Sequence, residues 1–133
     1  MPVDPARLRP ISLFDDLTDA DVASIGAKME ERPVEPGEHL AREGATGYFF
    51  FVILDGRAQV DRQGEKIAEL GPGDFFGEAA VLEATRRNAT VTATTAMVVG
   101  AMFGADFAKV EHESPELHAR ISQVMNARRV VDT

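Results

Sequence analysis

A glycine at 77, a glutamate at 78 and an arginine at 87 fall in one stretch, Phe-Phe-Gly-Glu-Ala-Ala-Val-Leu-Glu-Ala-Thr-Arg-Arg-Asn-Ala-Thr-Val over residues 75–91. Their chemistries are complementary. Gly77 lets the backbone approach a ligand closely, and a helix starting beside it would aim unpaired N–H groups and a positive dipole end at an anion. Glu78 repels an anion, but its carboxylate is a natural acceptor for a vicinal sugar hydroxyl. Arg87 supplies a forked, permanently charged donor for phosphate oxygens. The segment therefore offers a phosphate end and a ribose end. Taken singly, each residue has a plainer reading. Gly77 could end a strand, Glu78 could be a first-turn acid stabilised by the helix dipole, and an arginine is usually a solvated surface group. Arg86 is read that way, because neighbours on a strand face opposite sides. The combined spacing favours binding, since an anion gives an inward arginine the partner that a buried charge needs.

Other chemistries fit less well. Gly71 and Gly73 suggest a dinucleotide loop, but the third glycine falls at 77, one position too far, and no crossover helix follows. The histidines His39, His112 and His118 have neither the paired spacing of a helical zinc site nor the clustering on a strand that a metal-binding barrel needs, so they are read as solvated or structural. No Gly-x-Ser-x-Gly elbow occurs. The expectation is a protein with no catalytic residues, no metal and no cofactor.

The elements that must position this segment change period along the chain. A short helix or turn over residues 5–13 is followed by a helix that Thr18 would cap, running to about residue 30 with Val22, Ile25 and Met29 on one face. Over residues 32–103 the apolar period falls to two or becomes short runs, broken by Pro36-Gly37, Asp55-Gly56, Gln63-Gly64 and Gly71-Pro72-Gly73. Many short strands with such turns predict a jelly-roll barrel. Helical spacing returns over 105–111 and from 116 to about 131, where Leu117, Ile121, Val124 and Met125 form one apolar stripe. The fold class expected is mainly β with flanking helices. It is read as a single domain over 1–133, with a helical segment at 1–31, a barrel at 32–103 and C-terminal helices at 104–131.

Composition agrees with this class. At 133 residues and 44% hydrophobic, the chain can bury a core without covalent staples, and with no cysteine it has no disulfide or thiolate site. Asp4, Pro2, Pro5 and Pro10 interrupt any leader-like pattern, and no apolar run approaches membrane-spanning length. A cytoplasmic location is expected. With 14 basic against 22 acidic residues the net charge is −8, which disfavours nucleic acid and anionic membranes as partners.

The pattern Phe-Gly-Glu-x-Ala, followed about eight residues later by Arg-x-Ala-[Ser/Thr]-Val, resembles the phosphate-binding cassette of the cyclic nucleotide-binding domain family, here over residues 76–90. That family includes the bacterial catabolite activator protein, protein kinase A regulatory subunits and cyclic-nucleotide-gated channels. The resemblance extends upstream to Pro36-Gly37-Glu38, Glu43-Gly44, residues 51–56 and residues 71–78. Downstream it takes in Asp106-Phe107 and residues 114–117, so it covers roughly residues 8–130. It implies a double-stranded β-helix barrel that binds cyclic AMP or cyclic GMP as a regulatory domain in signal transduction.

Residue by residue, the resemblance places Gly77, Glu78 and Ala79 around the ribose and phosphate, with Glu78 accepting from the ribose 2′-hydroxyl and Arg87 on the phosphate. Ala80 would offer a backbone N–H to the other exocyclic oxygen. Val60, Ala68 and Leu70 match strand positions that pack against the purine, and otherwise read as barrel core. Arg128 matches a channel-type arginine that reaches the purine edge, with Val124 one turn earlier. Two positions depart from the family pattern: Arg86 stands where proline is frequent, and Asn88 where alanine, serine or threonine is usual. An amide can both donate and accept, so Asn88 could serve either nucleotide or simply face solvent, and cyclic AMP is favoured because it is common across bacterial relatives of such domains. The expected protein is a non-enzymatic sensor whose last helix moves on binding and passes the signal to an effector protein or to a second copy, or which buffers the nucleotide. The alternatives are a degenerate barrel that keeps only a protein-interaction role, supported by Arg86 and Asn88, and a metal-dependent jelly-roll enzyme, which the histidine spacing disfavours.

Overall fold

A computed structural model of the chain describes residues 1–45, 47–77, 87 and 89–132, with side chains through residue 123. The helical prologue is more divided than the sequence reading had it. Helix α1 (Pro5–Leu8) stops before Pro10, whose ring cannot continue it, and a separate 3₁₀ turn follows at Ser12–Phe14. Arg9 closes this corner: its Nη2 donates to the carbonyls of Phe14, Asp15 and Leu17 at 3.2, 3.1 and 2.9 Å. Thr18 caps α2 (Asp19–Lys28) by accepting the Asp21 N–H at 3.1 Å. That helix is shorter than expected at its far end, because Met29 turns extended (ψ 150°) and feeds the first strand.

The strands are β1 (Glu30–Val34), β2 (His39–Ala41), β3 (Phe49–Asp55), β4 (Ala58–Arg62), β5 (Glu65–Leu70), β6 (Phe75–Phe76), β7 (Thr90–Ala93) and β8 (Met97–Phe103). They form two four-stranded antiparallel sheets in the orders β1-β8-β3-β6 and β2-β7-β4-β5. This interleaving of sequence neighbours between facing sheets is a jelly roll, the architecture expected. Two helices complete the chain, α3 (Gly104–Glu113) and α4 (Pro115–Asp132). Ser114 separates them, its hydroxyl accepting the Leu117 N–H at 3.3 Å, with Pro115 at the first helical position where its missing donor costs nothing.

Strand β3 reads Phe-Phe-Phe-Val-Ile-Leu-Asp, a nearly unbroken apolar run, because both of its faces are covered. Phe50 and Val52 face the helices, in a cluster with Leu8, Phe14, Val22, Ile25, Phe107, Leu117 and Ile121. Phe51 and Ile53 face the barrel interior with Val34, Phe76, Val91 and Val99. The Phe50 and Phe107 rings stack at 4.0 Å and fix α3 to the sheet. Of the predicted apolar stripe on the last helix, Leu117 and Ile121 are buried, while the side chains of Val124 and Met125 lie outside those described. Arg120 pairs with Asp16 at 2.9 Å, joining α4 to the 3₁₀ corner. No helix among the described residues is long and apolar enough to cross a membrane.

Candidate ligand-binding site

The approach to Gly77 is built by a tight turn. Asp74 accepts the Gly71 N–H through Oδ2 at 2.8 Å, and the turn is tied to β3 by Gly73 N–H to the Ile53 carbonyl (2.9 Å) and Ile53 N–H to the Asp74 carbonyl (2.8 Å). The chain thus enters β6 in register with β3, Phe51 opposite Phe76. Gly77 follows with φ +95°. A Cβ built there would lie 2.5 Å from Arg87 Nη1 and 2.7 Å from the Phe49 carbonyl oxygen. Glycine is needed on both counts: an L side chain is strained at that φ, and the space it would fill is occupied.

Arg87 is held from three sides. Its N–H donates to the Ala45 carbonyl at 2.7 Å, and its own carbonyl accepts the Gly44 N–H at 2.8 Å. Its Nη2 donates to the Phe49 carbonyl at 2.7 Å. The loop it pairs with is itself anchored, Glu43 N–H donating to Thr90 Oγ1 at 3.0 Å and Ala45 N–H to the Arg42 carbonyl at 3.0 Å. The residue is 8% exposed. Such burial of a guanidinium is costly unless its charge is used.

A cleft of about 240 Å³ opens beside this arginine, lined also by His39, Leu40, Ala41 and Arg42 of β2 and its following loop, by Ala45, and by Tyr48, Phe49 and Phe51 of the β3 approach. Its lining combines apolar and aromatic side chains with the cations of Arg42 and Arg87, which suits a compact ligand with an aromatic part and an anionic group. His39 lies at its edge with Nδ1 2.8 Å from Thr92 Oγ1. His118 pairs with Glu111 across the α3–α4 joint. Among the described residues no group of three His, Asp or Glu side chains is placed to hold a metal ion.

The structure brings Gly77 and Arg87 into direct proximity. Val60 and Ala68 are paired across the β4–β5 ladder, two positions from the Ala58 and Leu70 pair. Val60 and Leu70 pack against the barrel cluster, whereas Ala68 is exposed and so is not the core residue that was the other reading of it. Glu78, Ala79, Ala80 and Asn88 lie outside the described residues, as do the side chains of Val124 and Arg128. Sequence reasoning passed over Ala41, Ala45, Tyr48 and Phe49. Phe49 and Ala45 act through backbone carbonyls, which leave no trace in residue type. Ala41 enters through its pairing opposite Val91, a register shifted between His39 and Ala41 that only the tertiary path sets.

Known proteins place this arrangement in context. The chain is 33% identical over 119 residues to a cyclic nucleotide-gated potassium channel of Rhizobium etli, covering 90% of this chain and 33% of that one. It is 34% identical over 97 residues to a cAMP-dependent protein kinase regulatory subunit of Yarrowia lipolytica, covering 71% and 26%. The chain thus spans a third or less of the length of these relatives. Among solved structures, cAMP-bound PfPKA-R superposes with a TM-score of 0.86 at 23% identity over 96% of this chain and 45% of that one. The Thermus thermophilus catabolite activator protein gives 0.80 at 24% identity over 90% and 58%. Both likenesses are of fold. The family model described as the cyclic nucleotide-binding domain matches residues 31–113, from β1 to the end of α3. With the jelly roll, the glycine that makes room for a buried arginine and the cleft beside it, this match identifies the chain as a member of the cyclic nucleotide-binding domain family.

Proposed function

We propose that this chain is a cyclic nucleotide sensor with no catalysis of its own, taking a purine ribose cyclic monophosphate into the cleft beside Arg87, with cyclic AMP favoured over cyclic GMP. The observation that carries this reading is the Arg87 guanidinium, buried, braced on the Phe49 carbonyl and admitted only because residue 77 has no side chain. Such a charge is preorganised for a phosphate, its reorganisation cost already met by folding. In this reading Glu78 accepts from the ribose 2′-hydroxyl, while Gly77, Ala79 and Ala80 contribute backbone groups. Val60, Ala68 and Leu70 flank the purine, Asn88 meets the phosphate or the base edge, and Val124 and Arg128 reach the base from the last helix. Support for cyclic AMP comes from relatives and neighbours whose names carry it, including the Yarrowia lipolytica subunit and PKAR CBD2 bound to Sp-2Cl-cAMPS.

Signalling in this proposal runs through α4, which is held by Leu117, Ile121 and the partly exposed Arg120–Asp16 pair. Exposed ion pairs contribute little, so a ligand with modest differential contacts can shift the helix. The displaced face would then engage an effector protein or a second copy, in a cytoplasmic setting.

The test is thermal unfolding with and without cyclic AMP and cyclic GMP, for the wild type and Arg87→Ala. Ligand at about 100 times its dissociation constant stabilises by about 2.7 kcal/mol, which for 133 residues is a rise of about ten degrees. The expected result is a rise with cyclic AMP, a smaller one with cyclic GMP and none in Arg87→Ala. No rise with either nucleotide at millimolar concentration would overturn the reading and favour an interaction module.

A further inference from the structure

Phe49 meets Arg87 through its carbonyl and the rest of the barrel mouth through its ring. The ring stacks on Phe103 with centroids 4.8 Å apart and planes 29° apart, and the Arg32 guanidinium lies over it with Cζ 4.5 Å from the centroid. On its other flank Phe49 tilts against Phe51 at 6.0 Å, and Phe51 stacks on Phe76 at 4.9 Å. A ladder of rings therefore runs from Phe103 to the residue before Gly77.

The outer members of this ladder are not there to fill the core. Phe103 is 61% exposed, and the half-buried Arg32 has the Phe49 ring as its specific partner among the described residues. Their position explains them better. Phe49 is the first residue of β3, paired with Phe103, the last of β8, and beyond that pair the two chains are joined by the Gly104 N–H to the Tyr48 carbonyl at 2.7 Å, so the peptide that presents the Phe49 carbonyl sits where the ladder gives out. Hydrogen bonds weaken steeply with misdirection, and the Arg87 Nη2 bond at 2.7 Å depends on where that carbonyl points. Gripping the ring fixes the residue, and with it the oxygen.

We propose that Arg32 and Phe103 are positioning residues for Arg87: they clamp the Phe49 ring so that its carbonyl holds the guanidinium in its ligand-ready orientation. The ligand arm of the test rests on the function proposed above; a ligand-free arm does not. In the ligand-free protein, hydrogen exchange of the Arg87 guanidinium protons is followed by NMR, the signals assigned by their loss in Arg87→Ala. Arg32→Ala and Phe103→Ala are expected to speed this exchange by roughly three- to tenfold, the scale of one cation–π or ring–ring contact. Arg32→Lys and Phe103→Tyr, which keep a cation and a ring, restore slow exchange. Arg7→Ala, which removes a neighbouring cation paired with Glu31 of β1, leaves it unchanged.

In the ligand arm, cyclic AMP binding weakens by a similar factor in the two alanine variants, with no further loss when either is combined with Arg87→Ala. Unchanged Arg87 exchange in both alanine variants would overturn the proposal, whatever happens to melting temperature. Slow exchange in the wild type that accelerates in the variants, with no nucleotide binding in either, would leave the clamp standing and sink the functional reading instead.

Discussion

Replacing Gly77 with alanine tests the packing on which the site depends. The added Cβ would stand 2.5 Å from Arg87 Nη1 and 2.7 Å from the Phe49 carbonyl oxygen, at φ +95°. Neither neighbour yields easily, since one is backbone and the other is pinned to it. The positive φ costs about 1–2 kcal/mol, and displacing the guanidinium from its carbonyl about 1.5–3 more, offset by up to about 1 from a stiffer unfolded chain. The net loss is on the order of 2–4 kcal/mol, a fall of roughly 7–14 degrees for this chain length. The fold supplies its own control in Gly37, which has φ +87° but nothing within 4 Å of a built Cβ. Gly37→Ala pays the backbone strain without the collision and should fall by about 2–5 degrees. Differential scanning calorimetry of the two variants isolates the collision, and adding cyclic AMP shows whether it also removes the ligand-induced rise. Equal losses in the two variants, or an undiminished rise in Gly77→Ala, would refute the reasoning.

Removing the α2 cap by Thr18→Ala loses the bond to the Asp21 N–H and costs about 1 kcal/mol, a fall of about 3–4 degrees by calorimetry, with cyclic nucleotide binding unchanged. On β5, Lys66 donates to Glu69 at 2.6 Å, and this hydrogen bond, followed by the lysine charge, holds the Glu69 carboxyl below its ordinary pKa. In Lys66→Ala the Glu69 titration followed by NMR should move up toward the ordinary carboxylate range, with almost no change in melting temperature because both side chains are exposed.

What the sequence made legible divides along a physical line. Side-chain periodicity and turn residues carried the architecture: Thr18 announces its helix, and alternation through residues 32–103 marks a barrel. Gly77 was visible as a place where backbone comes close, though not what it comes close to. Hidden from the sequence are the parts made of main chain. The oxygens of Phe49 and Ala45 that hold Arg87 belong to groups every residue has, and only the tertiary path selects them. Boundaries moved where local chemistry overrode period, as at Pro10, which splits the first helix, and at Met29, which turns extended to start β1. Ala68, matched by resemblance to a purine-flanking position with barrel core as its plainer reading, proves exposed on the edge strand β5, and residue type alone does not say how much of an edge strand its sheet covers.

The interleaved strand order also bears on how the protein reaches its native state. Arg87 meets Phe49 across 38 residues of chain, and β1 pairs with β8 from Glu30 to Ala101. Contacts of such sequence separation form late and slowly, because loop-closure entropy is spent before they are made. No local segment, the cassette included, can assemble the arginine pocket by itself. The capacity to hold an anion should therefore emerge only as the barrel closes, so that a ligand added during refolding accelerates none of the early steps and instead traps the last one, slowing the return to the unfolded chain.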